Sequence, residues 1–593
     1  MTRFAALARW RARLREQLLG TGLLLVVGFL TVFPLVMLAI GSVRTAAPGM
    51  PGAFSLDGYI VAYSDPQTYR TWANSLLLAT QVTLVSTLIA VFFAWVVART
   101  DTPGRGLAVP LMALVFAMPH LFFAMGWAML GNPRIGLLNQ LALAVLPLAE
   151  PPFDTNSWGG LVFVMALGAV PFKFLLILGA FRAMDLALEE ASRAAGAGRL
   201  KTLLFVGLPI LAPTILGVMV LSFVRGLQAF DVPLFLGLPA KIYVFSTRIF
   251  DYVANYQPAR YAEASALAIS LVVTMLGLVL LQWRILGRRE FVTVTGKGYR
   301  PDVWRLGPWR YACAAALALY ALLALVLPLG QMVLGSLQPV YGVAAGGLSF
   351  DNYGAALGRP IVQRALRNTI LIAVGGGLLA MALTTLVAYV VARSRFAGRR
   401  ALDLAAWLPW TMPGIVLGLS MLWAYLSVPG LKSLYGTPWL LLIGVVVTVI
   451  PVGVRVMAGA IGQVGRELEE SARIHGAPWW RAFVGIVLRV AAPSFLYGWL
   501  VVGLIISGEL SVPMLLYAPG SEMLGVAVYN LYTQGRAAEA AAVFCVILAA
   551  IAAAFAVAAV GAALARWAVR VRAAHGERGA PGVLRPREAA GTH

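Results

Sequence analysis

Two acidic segments, 280 positions apart, hold the residues whose types and spacing could do chemistry. Glu190-Ala191-Ser192 is followed by Gly196, then Val206, Leu208 and Pro209; Glu470-Ser471-Ala472 is followed by Gly476, Ile486 and Leu488. Small residues after a carboxylate make a compact, singly charged helix surface, and the glycine can end that helix and turn the chain into a second short one. The product is a bent pair of helices, a protruding knob. It offers no converging nucleophile, base and metal ligands, so no catalytic residue is expected. Arg489 stands where the first segment has Pro209, which puts in doubt the helix start after the second knob, although Pro493 matches Pro213.

Other titratable residues carry weaker expectations. Asp231 and Glu509 precede Val-Pro and Leu-Ser-Val-Pro breaks beside apolar stretches. An acid costs about 2.5–3.5 kcal/mol at the centre of a membrane and then faces an internal pathway; at the outer interface it caps a helix end in water. Both readings of this pair stand. Glu263 and Glu539 recur in Ala-Glu-Ala segments as expected caps, and Asn74 and Asn368 as expected N-caps. His120, Cys313 and Cys545 lack partners at metal-ligand spacing, so no metal site is expected. There is no Gly-x-x-x-x-Gly-Lys-Ser/Thr phosphate loop, and Gly296-Lys297-Gly298 does not make one.

The elements that must position these groups are membrane helices. The chain has 593 residues, 60% hydrophobic and 12% charged, with a mean hydropathy of +0.84, too much apolar surface for a water-soluble fold to hide. Charge-free stretches such as 18–40, 76–98 and 541–565 are near the ~20 residues a crossing needs. About twelve spans are expected, near 18–40, 73–98, 107–130, 158–181, 207–228, 262–286, 311–335, 368–392, 401–427, 438–460, 494–516 and 541–565. The net charge of +22 lies between spans and not along a basic face, which argues against nucleic acid. Arg-rich leads and tails, with the turns at Arg99, Arg105, Arg393 and Arg399, put both termini in the cytoplasm. The first stretch exceeds a signal peptide's apolar run and reads as an uncleaved anchor.

An internal repeat organises the spans. At an offset of 294, Asp57 and Tyr59 match Asp351 and Tyr353, Asn74 matches Asn368, Trp95 and Arg99 match Tyr389 and Arg393, and Met118-Pro119 matches Met412-Pro413. Beyond a longer loop at 131–157 the offset becomes 280. The expected layout is a basic lead (1–16), a six-span domain (17–286, knob 186–209), a linker (287–310), a second six-span domain (311–566, knob 466–489) and a basic tail (567–593). The halves run in parallel and enclose a pathway. The outward loops 42–71 and 336–367 present Asp57, Tyr59, Asp351 and Tyr353, either for a partner or for packing the loops.

The paired knobs resemble the EAA loop of ABC-importer permeases: Glu-Ala-Ala, three residues, Gly, nine residues, an aliphatic residue, one more, then Leu-Pro. The resemblance implies an all-α integral membrane protein of two tandem permease domains in a bacterial inner membrane. It implies that Glu190, Ala191, Gly196, Glu470 and Gly476 couple to two separate ATPase subunits, and that an extracytoplasmic binding protein delivers the cargo. It also implies no enzyme activity and no cofactor. The segments 231–239, 243–248 and 509–517 are similar to the ferric-iron permease family, which has thiamine and phosphonate relatives. That makes ferric iron the first expected cargo, with thiamine or an aminophosphonate as alternatives. A major-facilitator transporter also has six-plus-six spans, and Asp101, Gly104, Arg105, Gly398, Arg399 and Arg400 echo its loop, but that reading leaves the paired knobs unexplained.

Overall fold

A computed structural model describes residues 2–185, 187–286, 303–343 and 347–578, so most of the expected linker and residues 579–593 of the tail lie outside the described residues. Among the described residues the fold is all-helical, with no sheet and two isolated bridges. Nine helices there are long and apolar enough to cross a membrane, and two bent pairs raise that to at most eleven, against about twelve expected. The last expected span, 541–565, lies within helix Ala537–Arg578. Many outer-face side chains, including Leu25, Leu88, Val273, Leu319 and Leu379, are exposed, as a lipid-facing surface requires.

The third and ninth spans are not straight crossings. Proline lacks an N–H and pushes the preceding residue out of the helical region. Met118 (φ −71, ψ 125) and Met412 (φ −107, ψ 126) obey, and the helices bend by 93° between Arg105–Ala117 and His120–Leu130 and by 114° between Arg399–Thr411 and Gly414–Ser427. The eleventh span also departs from expectation. It runs as Trp479–Ser507 and ends before Glu509, not at 516. Arg489 does not disturb a helix start, because none occurs there: Trp479–Ser507 and Arg199–Leu227 are each continuous through a π turn, Phe483–Leu488 and Leu203–Gly207. Pro209 sits just after such a turn, where the wider hydrogen-bond register accommodates its missing N–H.

Each half packs its second long helix on its fourth and fifth: Pro66–Arg99 on Trp158–Ala183 and Arg199–Leu227, and Pro360–Arg393 on Pro438–Gly462 and Trp479–Ser507. The first helix of each half also reaches across to the other half. Thr2–Gly41 lies against Arg399–Trp407 and Gly414–Ser427, while Leu327–Leu337 lies against His120–Leu130. Glycines permit the approach, since a Cβ at Gly20 would meet the Phe396 ring at 2.4 Å and one at Gly41 the Trp423 ring at 2.3 Å. Trp423 Nε1 donates to Ser265 Oγ at 2.8 Å, tying this crossing to the sixth span.

Asn74 and Asn368 are not N-caps, for their helices begin about two turns earlier, at Pro66 and Pro360. They hold a different segment. Asn74 Nδ2 donates to the Tyr243 carbonyl (3.0 Å) and Asn368 Nδ2 to the Gly520 and Glu522 carbonyls (3.2 and 3.1 Å). The next residues, Ser75 and Thr369, accept the first N–H of the short helices Phe245–Ala254 and Leu524–Thr533 at 3.0 and 2.8 Å. Tyr59 and Tyr353 serve loop packing, their hydroxyls meeting Ser42 and Ser336 at 2.9 and 2.8 Å. Glu539 pairs with Arg359 at 3.0 Å.

Gly41→Val should overpack the crossing against Trp423 and cost about 1–3 kcal/mol. It should lower the thermal-unfolding midpoint of the detergent-purified protein. Gly22→Val, where a Cβ meets nothing within 4 Å, should leave the midpoint unchanged.

Candidate functional site

The two knobs have one local construction. Helix Ala187–Ala194 ends at Gly196, whose φ of +86° is the left-handed region. The Gly196 N–H donates to the Arg193 carbonyl (2.9 Å) and the Ala197 N–H to the Ser192 carbonyl (3.1 Å). In the second half Arg466–Ile474 ends at Gly476, φ +84°, with Gly476 to Arg473 at 3.0 Å and Ala477 to Ala472 at 3.0 Å. This double bond over a left-handed glycine is a Schellman cap, so the sequence spacing from Glu to Gly is the length of the first short helix plus its stop. The chain then re-enters the long helices Arg199–Leu227 and Trp479–Ser507. Ser192 and Thr202 hydroxyls, 3.0 Å apart, close the bend of the first knob. Leu186, at the expected start of that knob, lies outside the described residues.

Glu190, Ala191 and Glu470 are exposed on the knobs, beside exposed Leu188, Leu468 and Ile474. Their neighbours turn inward. Glu189 Oε1 receives Arg99 Nε at 3.1 Å, with the arginine side chain only 4% exposed. Glu469 lies 3.7 Å from Arg393 Nε and accepts the Tyr389 hydroxyl at 2.9 Å. Arg393 also donates to the Ile461 carbonyl at 2.6 Å, and Arg473 donates to the Tyr389 hydroxyl at 3.4 Å. Each knob is thus anchored by the acid before the expected one to the arginine that ends the second or eighth span. The sequence reading missed this pair. Its signal was there, since Arg99/Arg393 and Glu189/Glu469 recur at the offsets 294 and 280 of the repeat.

Asp231 and Glu509 sit where the halves meet and not on an open outer surface. A Cβ at Gly508 would lie 2.7 Å from Pro119 Cβ of the other half, and one at Gly414 would lie 3.1 Å from Glu509 Oε1. Glu509 accepts the Val512 N–H at 3.3 Å, capping the short helix Ser511–Leu516, so the capping expectation describes part of its role. Asp231 Oδ1 is buried without a hydrogen-bond partner. Nearby, Gln228 Nε2 donates to the Trp410 carbonyl at 2.9 Å, and the Arg225 guanidinium stands 5.4 Å from the Trp410 ring. Arg225 and His120, beside Trp410 and Pro119 respectively, keep accessible surface.

A Cβ added at Gly196 would meet nothing within 4 Å, so a substitution there tests backbone conformation alone. Gly196→Ala should cost about 1–2 kcal/mol for its left-handed backbone. Hydrogen exchange at the Gly196 and Ala197 amides should accelerate roughly five- to thirty-fold, and Gly196→Asn should do less.

Residues 86–289 and 376–570, together more than half of the chain, match the family described as binding-protein-dependent transport system inner membrane component. A putative ferric transport system permease protein of Haemophilus influenzae is 28% identical over 80% of this chain and 73% of its own length. A ferric transport system permease protein of Actinobacillus pleuropneumoniae is 28% identical over 76% of this chain and 64% of its own. A chain of a bacterial ABC transporter that imports alginate has a TM-score of 0.40 at 20% identity, covering 47% of this chain and 99% of that one. The family is one of transport components and not of catalytic domains, and it displaces the major-facilitator alternative. The chain belongs to the binding-protein-dependent transport system inner membrane component family, and carries its matching region twice.

Proposed function

We propose that this chain is the membrane permease of an ATP-driven importer, with one separate ATPase subunit docked on each knob and a binding protein delivering cargo at the opposite end. The observation that carries this reading is the pair of Schellman-capped knobs that expose Glu190 and Glu470 while anchoring Glu189 and Glu469 to the ends of long helices. A knob held in this way moves with its span. Closure of the two ATPase subunits would then rock one half against the other and alternate access to the seam. Arg105, Arg399 and Arg400 lie at the knob end, which supports a cytoplasmic assignment for that end and for both termini. The domain limits proposed are 17–286 and 311–566, joined by 287–310.

For cargo we infer ferric iron. Two relatives carry that name, and Asp231 and Glu509 offer hard oxygen ligands at the seam. Thiamine or an aminophosphonate would use the same architecture with a different binding protein.

Replacing Glu190 and Glu470 together with alanine should weaken ATPase-subunit association at least about tenfold, or ~1.4 kcal/mol, and abolish uptake; normal association and uptake would refute the coupling assignment. Calorimetric titration of the associated binding protein should show tight binding of ferric iron with a synergistic anion and none of thiamine or an aminophosphonate. Asp231→Asn with Glu509→Gln should slow ferric uptake several-fold while ATPase association stays intact. Unchanged uptake would leave both acids as helix-end groups only.

A further inference from the structure

The end of the segment that joins the two halves reaches the turn whose Arg99 anchors the first knob. The Trp304 N–H donates to the Arg99 carbonyl at 2.7 Å, and the Asp101 N–H donates to the Trp304 carbonyl at 3.2 Å, a short parallel bridge centred on Thr100. Asp101 Oδ1 accepts the Leu306 N–H at 3.0 Å, and Oδ2 lies 3.9 Å from Arg310 Nη1, in the first turn of helix Trp309–Ala321. The Trp304 indole stands edge-on to Trp95 at 5.5 Å. Arg99 is therefore a junction. Its carbonyl holds the linker, its guanidinium holds Glu189 of the knob, and its helix is the second span.

The second half shows why the first needs this. Tyr389, at the repeat position of Trp95, donates to Glu469 and accepts from Arg473, so the second knob gains a hydroxyl bridge from its own half. An indole packed on Trp304 provides no such bridge to Glu189. Arg99 Nη1 and Nη2 are buried without hydrogen-bond partners, so the Nε contact to Glu189 is that side chain's hydrogen bond. The second knob also meets the lead of the first helix, but by side chains: Glu16 lies 3.8 Å from Arg473, and Gln17 Nε2 donates to the Arg395 carbonyl at 3.3 Å. At the offset of 294, Glu16 corresponds to Arg310 and Arg395 to Asp101, but Glu16 pairs with Arg473 of the knob and Arg395 is met at its carbonyl, so the position of the contact recurs and its ion pair does not. In both halves the segment entering the opposite half's first helix touches the turn that holds the knob.

We propose that residues 303–310 are a strap that positions the first knob, with Trp304 and Asp101 as its positioning residues, and that it passes the motion of this knob to helix Trp309–Leu337 of the other half. The transmission step rests on the reading of the knobs as ATPase-docking elements. The positioning step does not. A backbone bridge and a capping carboxylate give the strap a fixed register, which a flexible linker lacks. Loosening it frees Arg99 and with it Glu189, while the second knob keeps its Tyr389 bridge.

Hydrogen exchange on the full chain tests the positioning step. Trp304→Ala and Asp101→Asn should each accelerate exchange at the Ala197 and Thr202 amides about tenfold and leave Gly476 and Ala477 within twofold; Trp304→Phe should restore the wild-type rate. Tyr389→Phe should do the reverse, loosening the second knob alone. Equal acceleration in both knobs, or none in the first, would overturn the proposal. The transmission step is read in proteoliposomes holding the chain with its ATPase subunits and binding protein, supplied with ferric iron. Trp304→Ala should keep ATP hydrolysis within twofold and reduce iron delivered per ATP at least about fivefold. An unchanged ratio would overturn transmission. If the wild-type chain recruits no ATPase subunit, the docking reading fails, and the exchange result still decides the strap.

Discussion

Inside hydrocarbon no water is available to a backbone N–H or carbonyl, so every break in a helix must be repaired by protein. That constraint decides where this fold is irregular. The two Met-Pro breaks lie at the seam between halves, where the Trp410 carbonyl, just ahead of Pro413, is met by the Gln228 side chain from the other half. The short helices Phe245–Ala254 and Leu524–Thr533 begin on Ser75 and Thr369, with Asn74 and Asn368 securing carbonyls of the preceding chain. A repeated Asn-Ser or Asn-Thr dipeptide in the middle of a long helix is therefore a socket for an irregular segment. It is not the start of the helix that carries it.

The same constraint explains what could be read in the sequence. The repeat, the parallel halves and the knobs were legible because they depend on local composition and on spacing: Glu to Gly is one short helix and its left-handed stop. The bends at Pro119 and Pro413 were not, since hydropathy sees 107–130 and 401–427 as continuous apolar runs and a proline inside a run does not announce an angle. The crossing of the first helices was hidden for a different reason. Gly20 and Gly41 reveal their use only beside Phe396 and Trp423, almost 400 positions away in the chain.

At the knobs the sequence reading named Glu190 and Glu470, the acids that the fold leaves exposed. It missed the inward ones. Glu189 and Glu469 differ from Glu190 and Glu470 by one position, which on a helix is a rotation of about 100°, enough to separate an exposed face from an anchoring face. The anchor matters for coupling because force applied at an exposed surface reaches the membrane only through groups that hold the knob to a span. A partly buried pair such as Arg99–Glu189 resists that force better than a surface pair worth ~0–1 kcal/mol, since removing one member strands the other away from water.

Fusing two copies in one chain lets them diverge at equivalent positions. Lys173 is wholly buried and donates to the Thr83 carbonyl at 3.2 Å and to Ser86, whereas its counterpart Gly453 receives the Thr384 side chain in the space a Cβ would take. At the seam the divergence is sharper. His120, Arg225 and Asp231 belong to the first half and face Gly414, Ile505 and Ser511 at the corresponding places of the second, while Glu509 corresponds to Ala229. A dimer of identical subunits would carry each of these groups twice, placing two arginines and two histidines around one axis. A fused chain presents each once, and so can set a single charged group of either sign against a cargo that has no two-fold symmetry of its own.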